Sequence, residues 1–490
     1  MPTRAHSTLE QADQQIVAAN AAYEQARDVP PATRAGWLRA IADALTASAE
    51  QLIPLAQAET NLPQARLEGE LKRTVFQLRL FAEEITGGEH LDAVIDHADA
   101  DWGMGPRPDL RRVNVPLGVV GVFGASNFPF AFSVIGGDSA SALAAGCAVV
   151  HKIHDGHREL AELTSRIVAD ALTEAGAPAG LFSSVTGRDG AVTLVDHPLV
   201  RAIGFTGSTA GGRALFDRAM ARPTPIPFFG ELGSLNPVFV TERAWAQRRE
   251  EILTGLADAA TGSMGQLCTK PGLVFVPAFD TEAVTAVLRD HLAGRAYTAL
   301  LTPRLREGYG SALAEVTDLP GVEVLLAGDD AEAPAPTVLH TTAAAVRKDP
   351  TALEREVFGP TTVLVTYTDE AELPELASLL EGQLTATVHA EPGEQLAPLL
   401  DRLREIAGRV LWNGWPTGVS VTYAQTHGGP YPATTAPATT SVGTASITRF
   451  LRPVTFQSFP DEQLPPALRE GNPWGVSRRV DGVREARAEG

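Results

Sequence analysis

The feature that most restricts the fold is a long stretch without a charged side chain, Val113 to Gly137. Its length would suffice for a membrane span, but Pro116, Asn127, Pro129 and several glycines interrupt it, which disfavours a helix in lipid. Its segment "LGVVGVFG" is better explained as a β-strand buried on both faces, as in parallel sheets that are covered by helices. The stretch therefore predicts an α/β fold without a membrane span.

The remainder of the chain agrees with an α/β fold. Apolar residues recur at helical spacing between residues 8 and 85 and predict amphipathic helices; examples are Trp37, Ile41, Leu45, Phe76 and Leu80. Strand-like and helix-like segments then alternate, which is typical of a doubly wound sheet with right-handed crossovers. The predicted strands of this first block are 117–124, 147–153, 181–186 and 201–205, and its predicted helices are 136–146, 157–175, 189–195 and 209–222. A second alternating block runs from about 236 to 425, with strand-like runs "NPVFV", "PGLVFVP", "TTVLVTY" and "LTATVHA".

Composition excludes several classes of protein. With 40 basic and 59 acidic residues the net charge is -19, and nucleic-acid binding requires the opposite excess. Two cysteines in 490 residues make no disulfide framework, which favours a reducing compartment. The N-terminal segment lacks the apolar core of a secretory signal. We therefore expect a cytoplasmic protein that binds neither nucleic acid nor membrane.

The two cysteines have different surroundings. Cys147 lies in the apolar run "ALAAGCAVV" and is expected in the core. Cys268 lies in "GSMGQLCTKPG", where small and polar residues indicate a helix end that leads into a loop. A thiol there can be reached by a substrate and drawn toward the thiolate by nearby dipoles or cations. Cys268 is therefore the candidate nucleophile.

Polar residues follow three predicted strands of the first block: Asn127, Lys152, and Gly207 with Ser208. Each has an ordinary explanation, since Asn is a common turn former, a lysine after a strand is usually solvated, and "GFTGSTAGG" lacks the G-x-G-x-x-G spacing. Function in such sheets gathers at the carboxyl ends of strands, however, so the residues together could line one groove.

A carboxylate occurs in an apolar, glycine-rich setting in "FFGELGSLNP". The neighbours Phe228, Phe229 and Leu232 argue against a surface turn and for burial of Glu231. Burial is expected to raise the pKa of Glu231 toward the working range of a general base.

Five motifs in this order, "SNFP", "FTGSTAGG", "ELGS", "GQLCT" and "EREVFGP", resemble the aldehyde dehydrogenase superfamily over nearly the whole chain. The runs "FFGELGSLNPVF", "GQLCTKPGLV", "WNGWPTGV", "HGGPYPATT" and "RFLRPVTFQ" resemble its branch of alpha-ketoglutaric semialdehyde dehydrogenases and an NADP-dependent fatty aldehyde dehydrogenase. The resemblance implies a Rossmann-type cofactor domain, an α/β catalytic domain and a β oligomerisation hairpin.

The same resemblance implies domain boundaries. The cofactor domain would cover 1–97 and 116–232, and the catalytic domain 233–425. Residues 98–115 and 426–490 would form the oligomerisation hairpin and the C-terminal region, so a homodimer or a tetramer is expected.

The resemblance also implies a mechanism. The Cys268 thiolate would attack an aldehyde, the Asn127 amide and the Cys268 backbone N–H would hold the oxyanion, and Glu231 would activate the water that hydrolyses the thioester. Glu356 would bind the nicotinamide ribose, and Phe358 would pack near the ring. No metal ion is predicted.

Other residues are implied to bind the remainder of the cofactor or to adjoin the site. Lys152 would bind the adenosine ribose or its phosphate, and Gly207 with Ser208 would let the pyrophosphate approach a helix N-terminus. His427 of "QTHGGPYP" is placed near the active site by the branch resemblance, although its loop could equally be plain covering structure.

The choice between NADP and NAD depends on charges near one strand end. Lys152, His154 and Arg188 would receive an added 2'-phosphate and favour NADP. Asp155 would repel that phosphate and favours NAD. Because the cationic residues outnumber the carboxylate, we predict that NADP is preferred and that NAD is also used.

The branch resemblance indicates oxidation of alpha-ketoglutaric semialdehyde to 2-oxoglutarate, with a medium or long-chain fatty aldehyde as the alternative substrate. This substrate prediction depends on the resemblance alone, since no residue of the sequence can be assigned to a substrate pocket. A cysteine hydrolase using Cys268 and His427 is a further alternative, but it has no use for the cofactor residues. A coenzyme-A-acylating enzyme has no need of Glu231, and an inactive relative would normally have lost part of the Asn127, Glu231 and Cys268 set.

Overall fold

The computed structural model describes residues 5–328 and 332–485. In chain order the described α-helices are α1 (Leu9–Ala26), α2 (Pro31–Ala47), α3 (Ala49–Thr60), α4 (Gln64–Gly87), α5 (Gly137–Ala145), α6 (Arg158–Glu174), α7 (Gly187–Asp196), α8 (Thr209–Met220), α9 (Glu242–Thr261), α10 (Thr281–Leu292), α11 (Pro303–Thr317), α12 (Ala343–Lys348), α13 (Leu373–Ser378) and α14 (Ala397–Ile406). The described strands are β1 (Ala93–Asp96), β2 (Leu110–Pro116), β3 (Val119–Phe123), β4 (Ala148–Lys152), β5 (Phe182–Val185), β6 (Val200–Thr206), β7 (Phe228–Glu231), β8 (Val238–Val240), β9 (Leu273–Pro277), β10 (Glu323–Leu326), β11 (Thr337–Thr342), β12 (Thr361–Tyr367), β13 (Gln383–His389), β14 (Ala407–Trp412), β15 (Leu451–Gln457), β16 (Arg478–Val480) and β17 (Val483–Glu485).

The first sheet is parallel, with strand order β5-β4-β3-β6-β7. Every residue of its middle strand β3 is buried, which confirms the prediction from the uncharged stretch. The chain fills one side of β3 with β4 and β5 and then crosses to the other side with β6 and β7. Such a reversal opens a crevice at the carboxyl ends of the strands, where ligands bind in sheets of this type.

Four helices precede this sheet, as predicted. Trp37 and Ile41 on α2 are 5% and 0% exposed, and burying each such side chain stabilises the fold by about 1.5–3 kcal/mol. Phe76 was expected on the apolar face of a helix, and this prediction is wrong, because its side chain on α4 is 53% exposed. The preceding residue, Val75, points into the core instead, while Leu80 is buried in a smaller cluster near the active site.

The second sheet has strand order β10-β11-β12-β9-β8-β13-β14, and all its pairs are parallel except β10 with β11. The four strand-like runs of the second block correspond to β8, β9, β12 and β13. Residues 232–237 connect β7 of the first sheet to β8 of the second. The carboxyl end of the first sheet therefore adjoins the amino end of the second.

The third sheet joins distant parts of the chain in the order β15-β2-β1-β16-β17. β2 lies antiparallel between β1 and β15, and β15 is an edge strand with alternating exposed residues. Its first strand, β1, begins before residue 98, and the predicted domain boundaries themselves stay a prediction. Among the described helices, none combines the length and the apolar character needed to cross a bilayer.

Candidate active site

A tight turn presents Cys268. After α9 ends, Ser263 and Met264 adopt left-handed backbone conformations with φ of 51° and 58°. Gly265 follows with φ of 64°, and a Cβ there would lie 2.1 Å from the Gly359 carbonyl oxygen. The Asn236 side chain then donates 2.8 Å to the Cys268 carbonyl. The half-buried thiol therefore lies on a backbone that is held on both sides, whereas Cys147 is fully buried in the core as predicted.

Cys268, His427, Glu231 and Ser441 form a connected chain of polar groups. The Sγ of Cys268 lies 3.6 Å from Nε2 of His427, and that nitrogen lies 3.0 Å from Oε1 of Glu231. The other carboxylate oxygen of Glu231 accepts a 2.5 Å hydrogen bond from the Ser441 hydroxyl. His427 and Glu231 are 1% and 4% exposed, so bulk water barely competes with these contacts.

The loop that carries His427 lies along β7, the strand that ends with Glu231. Leu232 N–H donates to the Ala433 carbonyl at 2.8 Å, and Gly230 N–H donates to Oγ1 of Thr435 at 2.9 Å. Farther along the loop, Ser441 N–H donates to the His427 carbonyl at 2.8 Å. These bonds bring distant parts of the sequence into one layer. Sequence analysis missed Ser441 because an isolated serine belongs to no motif that would indicate a contact with Glu231.

The pKa of Glu231 differs from the expectation. Burial raises it, but the neighbouring His427, the Ser441 hydroxyl and the Cys268 thiol together outweigh burial, and the pKa of Glu231 is lowered. The expectation that burial would raise this pKa toward neutrality is therefore wrong. Glu231 is ionised at neutral pH.

Cys268 also differs from the expectation of an easily formed thiolate. Part of the residue reaches solvent, yet desolvation of the thiol, followed by the charges of Glu231 and Glu356, raises the pKa of Cys268 well above its usual range. Arg409 opposes this effect without reversing it. The resting thiol is protonated and needs a base to become a nucleophile.

Asn127 adjoins the same turn and is 8% exposed. Its Nδ2 donates a 2.9 Å hydrogen bond to the backbone carbonyl of Gln266, two residues before Cys268. The backbone carbonyl of Asn127 accepts from Nη2 of Arg66 at 2.8 Å. A side-chain amide has a second N–H, so Asn127 can donate another hydrogen bond beside the thiol. The structure therefore bonds Asn127 to the turn that carries Cys268, and it brings Cys268, Glu231 and His427 together.

Glu356 lies on a second side of the site, next to the start of α8. A Cβ added to Gly233 would lie 2.8 Å from both Oε2 of Glu356 and Oγ1 of Thr209. Burial raises the pKa of Glu356 to about 7. The adjacent Phe358 is half-buried, and the structure does not connect it to the other predicted residues.

Lys270 is a buried residue that sequence reasoning missed. It is 3% exposed, and its Nζ donates to the carbonyls of Val357 at 2.7 Å and Thr361 at 2.6 Å. Burial lowers the pKa of Lys270 to about 8, and the charge of Glu356 opposes that shift. Lys270 and Glu356 line one small cavity together with Ser234. The only available signal was the position of Lys270 two residues after Cys268.

The predicted pyrophosphate site lies at the carboxyl end of β6. Ser208 caps α8 by accepting from Gly211 N–H at 3.3 Å, and the first turn of that helix is exposed. Gly212 packs the helix closely on the sheet, since a Cβ there would lie 2.1 Å from Leu232. Gly207 N–H is already bonded to the Glu231 carbonyl at 3.1 Å. An exposed helix N-terminus at a strand end is suited to bind an anion such as a pyrophosphate.

The predicted ribose and phosphate residues lie at the edge of the first sheet. Lys152 ends β4, is half-buried, and its Nζ lies 3.9 Å from the exposed carboxylate of Asp155. Arg188 is exposed in the first turn of α7, beyond the end of β5. The prediction that His154 is cationic is wrong, because burial lowers its pKa to about 4, and its Nδ1 accepts from Gly156 N–H at 3.0 Å.

Glu231, Cys268 and His427 are also residue types that bind metal ions. The ligand atoms of Glu231, Cys268 and His427 all lie within 4.8 Å of one another. Their contacts are nevertheless direct, and the prediction that no metal takes part stays a prediction. A thiol beside a buried histidine–carboxylate pair, next to a nucleotide-type sheet, defines a thiol-dependent enzyme of the α/β class.

Comparison with known proteins identifies the family. The profile of the aldehyde dehydrogenase family matches residues 2–431. Alpha-ketoglutaric semialdehyde dehydrogenase 2 of Azospirillum brasilense is 45% identical over 474 residues, which cover 95% of this chain and 90% of that protein. Alpha-ketoglutaric semialdehyde dehydrogenase of Acinetobacter baylyi is 41% identical over 485 residues, covering 97% of this chain and 92% of that protein. The chain belongs to the aldehyde dehydrogenase family, whose members are oxidoreductases that use NAD or NADP.

Solved structures support the same fold. An NAD-dependent aldehyde dehydrogenase from Sinorhizobium meliloti superposes with a TM-score of 0.77 at 24% identity, over 93% of this chain and 88% of that one. Proline utilization A from Bradyrhizobium japonicum gives a TM-score of 0.79 at 22% identity over 92% of this chain, which spans 45% of that longer protein. The predicted α/β, aldehyde dehydrogenase-like fold is confirmed.

Proposed function

We propose that the enzyme oxidises alpha-ketoglutaric semialdehyde to 2-oxoglutarate, with NADP preferred and NAD also used. The observation that supports this substrate is the pair of relatives, 45% and 41% identical over nearly their whole length, that carry the name of this activity. The buried Glu231 next to Cys268 supports release of a free acid, since a carboxylate there can activate water.

The reaction begins with loss of the thiol proton. His427 Nε2 lies 3.6 Å from Sγ of Cys268 and 3.0 Å from Glu231, so the proton passes to the His427–Glu231 pair. This transfer is necessary because the pKa of Cys268 is raised. The thiolate attacks the aldehyde carbon, and the Asn127 amide with the Cys268 backbone N–H binds the oxyanion.

When bound, the nicotinamide would accept the hydride that leaves the thiohemiacetal carbon, and Cys268 would then carry a thioester. After the His427–Glu231 pair has passed the thiol proton to solvent, Glu231 takes a proton from a water molecule, whose oxygen attacks the thioester. The C–S bond then breaks, which releases the carboxylic acid and restores the Cys268 thiolate. Ser441 holds Glu231 in place by its 2.5 Å hydrogen bond. His427 keeps the same carboxylate oriented from the other side.

The residues around the crevice fit a dinucleotide. The exposed start of α8 suits the pyrophosphate. Glu356 lies beside the start of α8, so it would bind the nicotinamide ribose that is attached to the pyrophosphate. Phe358 would pack near the ring. Lys152 and Arg188 support NADP, Asp155 opposes it, and His154 is neutral and adds no charge.

We further propose a cytoplasmic homo-oligomer, either a dimer or a tetramer. Both cysteines are free thiols, which suits a reducing compartment. The edge strand β15 offers unpaired backbone groups and exposed residues to a second copy of the chain.

The substrate is tested by kcat/KM for alpha-ketoglutaric semialdehyde, pentanal and dodecanal, each with NADP and with NAD. We expect the semialdehyde to be the best substrate. A preference for dodecanal would contradict the substrate proposal and favour a fatty aldehyde dehydrogenase. Hydrolysis of a thioester without nucleotide reduction by any aldehyde would favour a cysteine hydrolase.

A further inference from the structure

Two arginines from different elements donate hydrogen bonds to one loop. Arg73 of α4 donates from Nε and Nη2 to the Val419 carbonyl at 3.4 and 3.3 Å. Arg409 of β14 donates from Nη1 to the Gly418 carbonyl at 2.8 Å and from Nη2 to the Pro416 carbonyl at 2.6 Å. The two guanidinium groups therefore both bond to residues 416–419.

Each of these arginines keeps a buried N–H group that has no hydrogen-bond partner among the described residues. The atoms are Nη1 of Arg73 and Nε of Arg409. A buried donor without a partner costs about 1–3 kcal/mol, and more when it is charged. Such donors on two neighbouring cations are the groups that would bind an anionic oxygen.

Contacts lead from Arg73 to the nucleophile. Its guanidinium carbon lies 5.1 Å from the centre of the Phe132 ring, and that ring lies 6.3 Å from the ring of His427. His427 in turn lies 3.6 Å from Sγ of Cys268. Phe132 and Val419 belong to one apolar cluster. We call these two side chains the apolar wall; Arg73 contacts both of its residues.

Electrostatic coupling agrees with this geometry. Burial lowers the pKa of both arginines; the charge of Glu70 opposes this shift on Arg73, and the Cys268 thiolate, once formed, opposes it on both arginines. The charge of Glu231 also acts on Arg73. Oε1 of Glu70 accepts from the backbone N–H groups of Phe130 and Ala131 at 2.7 and 2.9 Å, and its Oε2 lies 3.2 Å from Nη1 of Arg66.

We propose that Arg73 and Arg409 bind the carboxylate at the far end of the substrate while Cys268 attacks its aldehyde. This assignment rests on the proposed function, and it names side chains that would make the enzyme prefer short aldehydes with a terminal carboxylate. The apolar wall of Phe132 and Val419 accommodates the carbon chain between the two ends.

The test uses 5-oxopentanoate and its methyl ester, which lacks the negative charge and adds one methyl group. Wild-type enzyme should prefer 5-oxopentanoate in kcat/KM. In Arg73→Met and Arg409→Met the ratio of kcat/KM for 5-oxopentanoate to kcat/KM for the ester should fall about 10- to 100-fold, mainly through the KM of the acid. Arg73→Lys and Arg409→Lys should recover part of the preference because they restore the charge.

Arg79→Met is the matched control. Arg79 lies on the same helix as Arg73, is exposed and pairs with Asp43 at 2.8 Å, so its loss should leave both substrates unaffected. Equal losses on acid and ester in the Met variants would show that the arginines only anchor the loop, and unchanged kinetics would exclude any role. Either result overturns the inference.

Failure of the proposed function gives a different pattern. If wild-type enzyme shows no preference for the charged substrate, both the substrate proposal and this assignment are wrong. If wild-type enzyme prefers 5-oxopentanoate and the Met variants keep that preference, only the assignment to Arg73 and Arg409 is wrong.

Discussion

The Cys268 end and the predicted phosphate end of the active site differ in how many of their polar groups are hydrogen-bonded within the protein. Around Cys268, the groups of His427, Glu231 and Ser441 contact one another inside the protein. At the predicted phosphate end, Arg188 and Asp155 are exposed, and the Lys152–Asp155 contact is long at 3.9 Å. Preorganised groups in a dry site act strongly on a reaction, while exposed charges are weakened by water and salt. We therefore expect large effects at the first end and modest ones at the second.

The largest effect should come from Cys268→Ser. A serine hydroxyl is a far weaker nucleophile, so kcat/KM for the aldehyde should fall by at least about 10³-fold. Steady-state reduction of NADP measures it. Cys147→Ala is the control and should keep activity, although its core position makes some loss of thermal stability expected. Residual activity above about a tenth of wild type in Cys268→Ser would disprove its role as the nucleophile.

Glu231→Gln should separate the two halves of the reaction. The thioester still forms, because His427 remains beside the thiol and loss of the Glu231 charge lowers the pKa of Cys268, so a burst of reduced nucleotide near one equivalent should remain. Turnover should slow by about 10²–10³-fold because no carboxylate activates water. Stopped-flow absorbance measures burst and steady state together. Wild-type turnover in this variant would exclude Glu231 as the deacylation base.

The pH dependence of thiol alkylation is a third comparison. The pKa of Cys268 is raised, and the thiolate fraction increases with pH, so the rate with iodoacetamide in the free enzyme should still be rising above about pH 9. Removing the negative charge in Glu231→Gln should lower the pKa of Cys268 and move the profile to lower pH. Burial of the thiol remains, so the shift should be partial. A wild-type plateau near neutral pH would contradict the raised pKa.

The smallest effects are expected at the exposed end. Arg188→Ala should reduce kcat/KM with NADP by about three- to tenfold and leave NAD unchanged, because a solvated charge contact contributes about 1 kcal/mol. Asp155→Ala should raise kcat/KM with NADP about two- to threefold by removing repulsion. Equal changes with both cofactors, or a wild-type preference for NAD, would contradict the NADP proposal.

Local sequence was sufficient for the elements and for several site residues. The strands of the first block follow from uninterrupted apolar runs, and Cys268 differs from Cys147 by its polar neighbours alone. Ser441, Lys270, Arg73 and Arg409 could not be found in this way, since their importance comes from partners far away in sequence. Phe76 was misplaced because helical spacing does not say which of two adjacent apolar residues faces the core.

By itself the sequence determined the α/β class, four strands in each of the two blocks, and the family, because apolar periodicity and ordered motifs are local properties of a chain. Only the tertiary structure decided the protonation of the site: Glu231 has a lowered pKa, Cys268 a raised one, and His154 is neutral. The physical reason is that a pKa depends on burial and on the charges within a few ångströms, and folding brings those groups together from distant parts of the chain. The same process brought Arg73 and Arg409 to the same loop, residues 416–419.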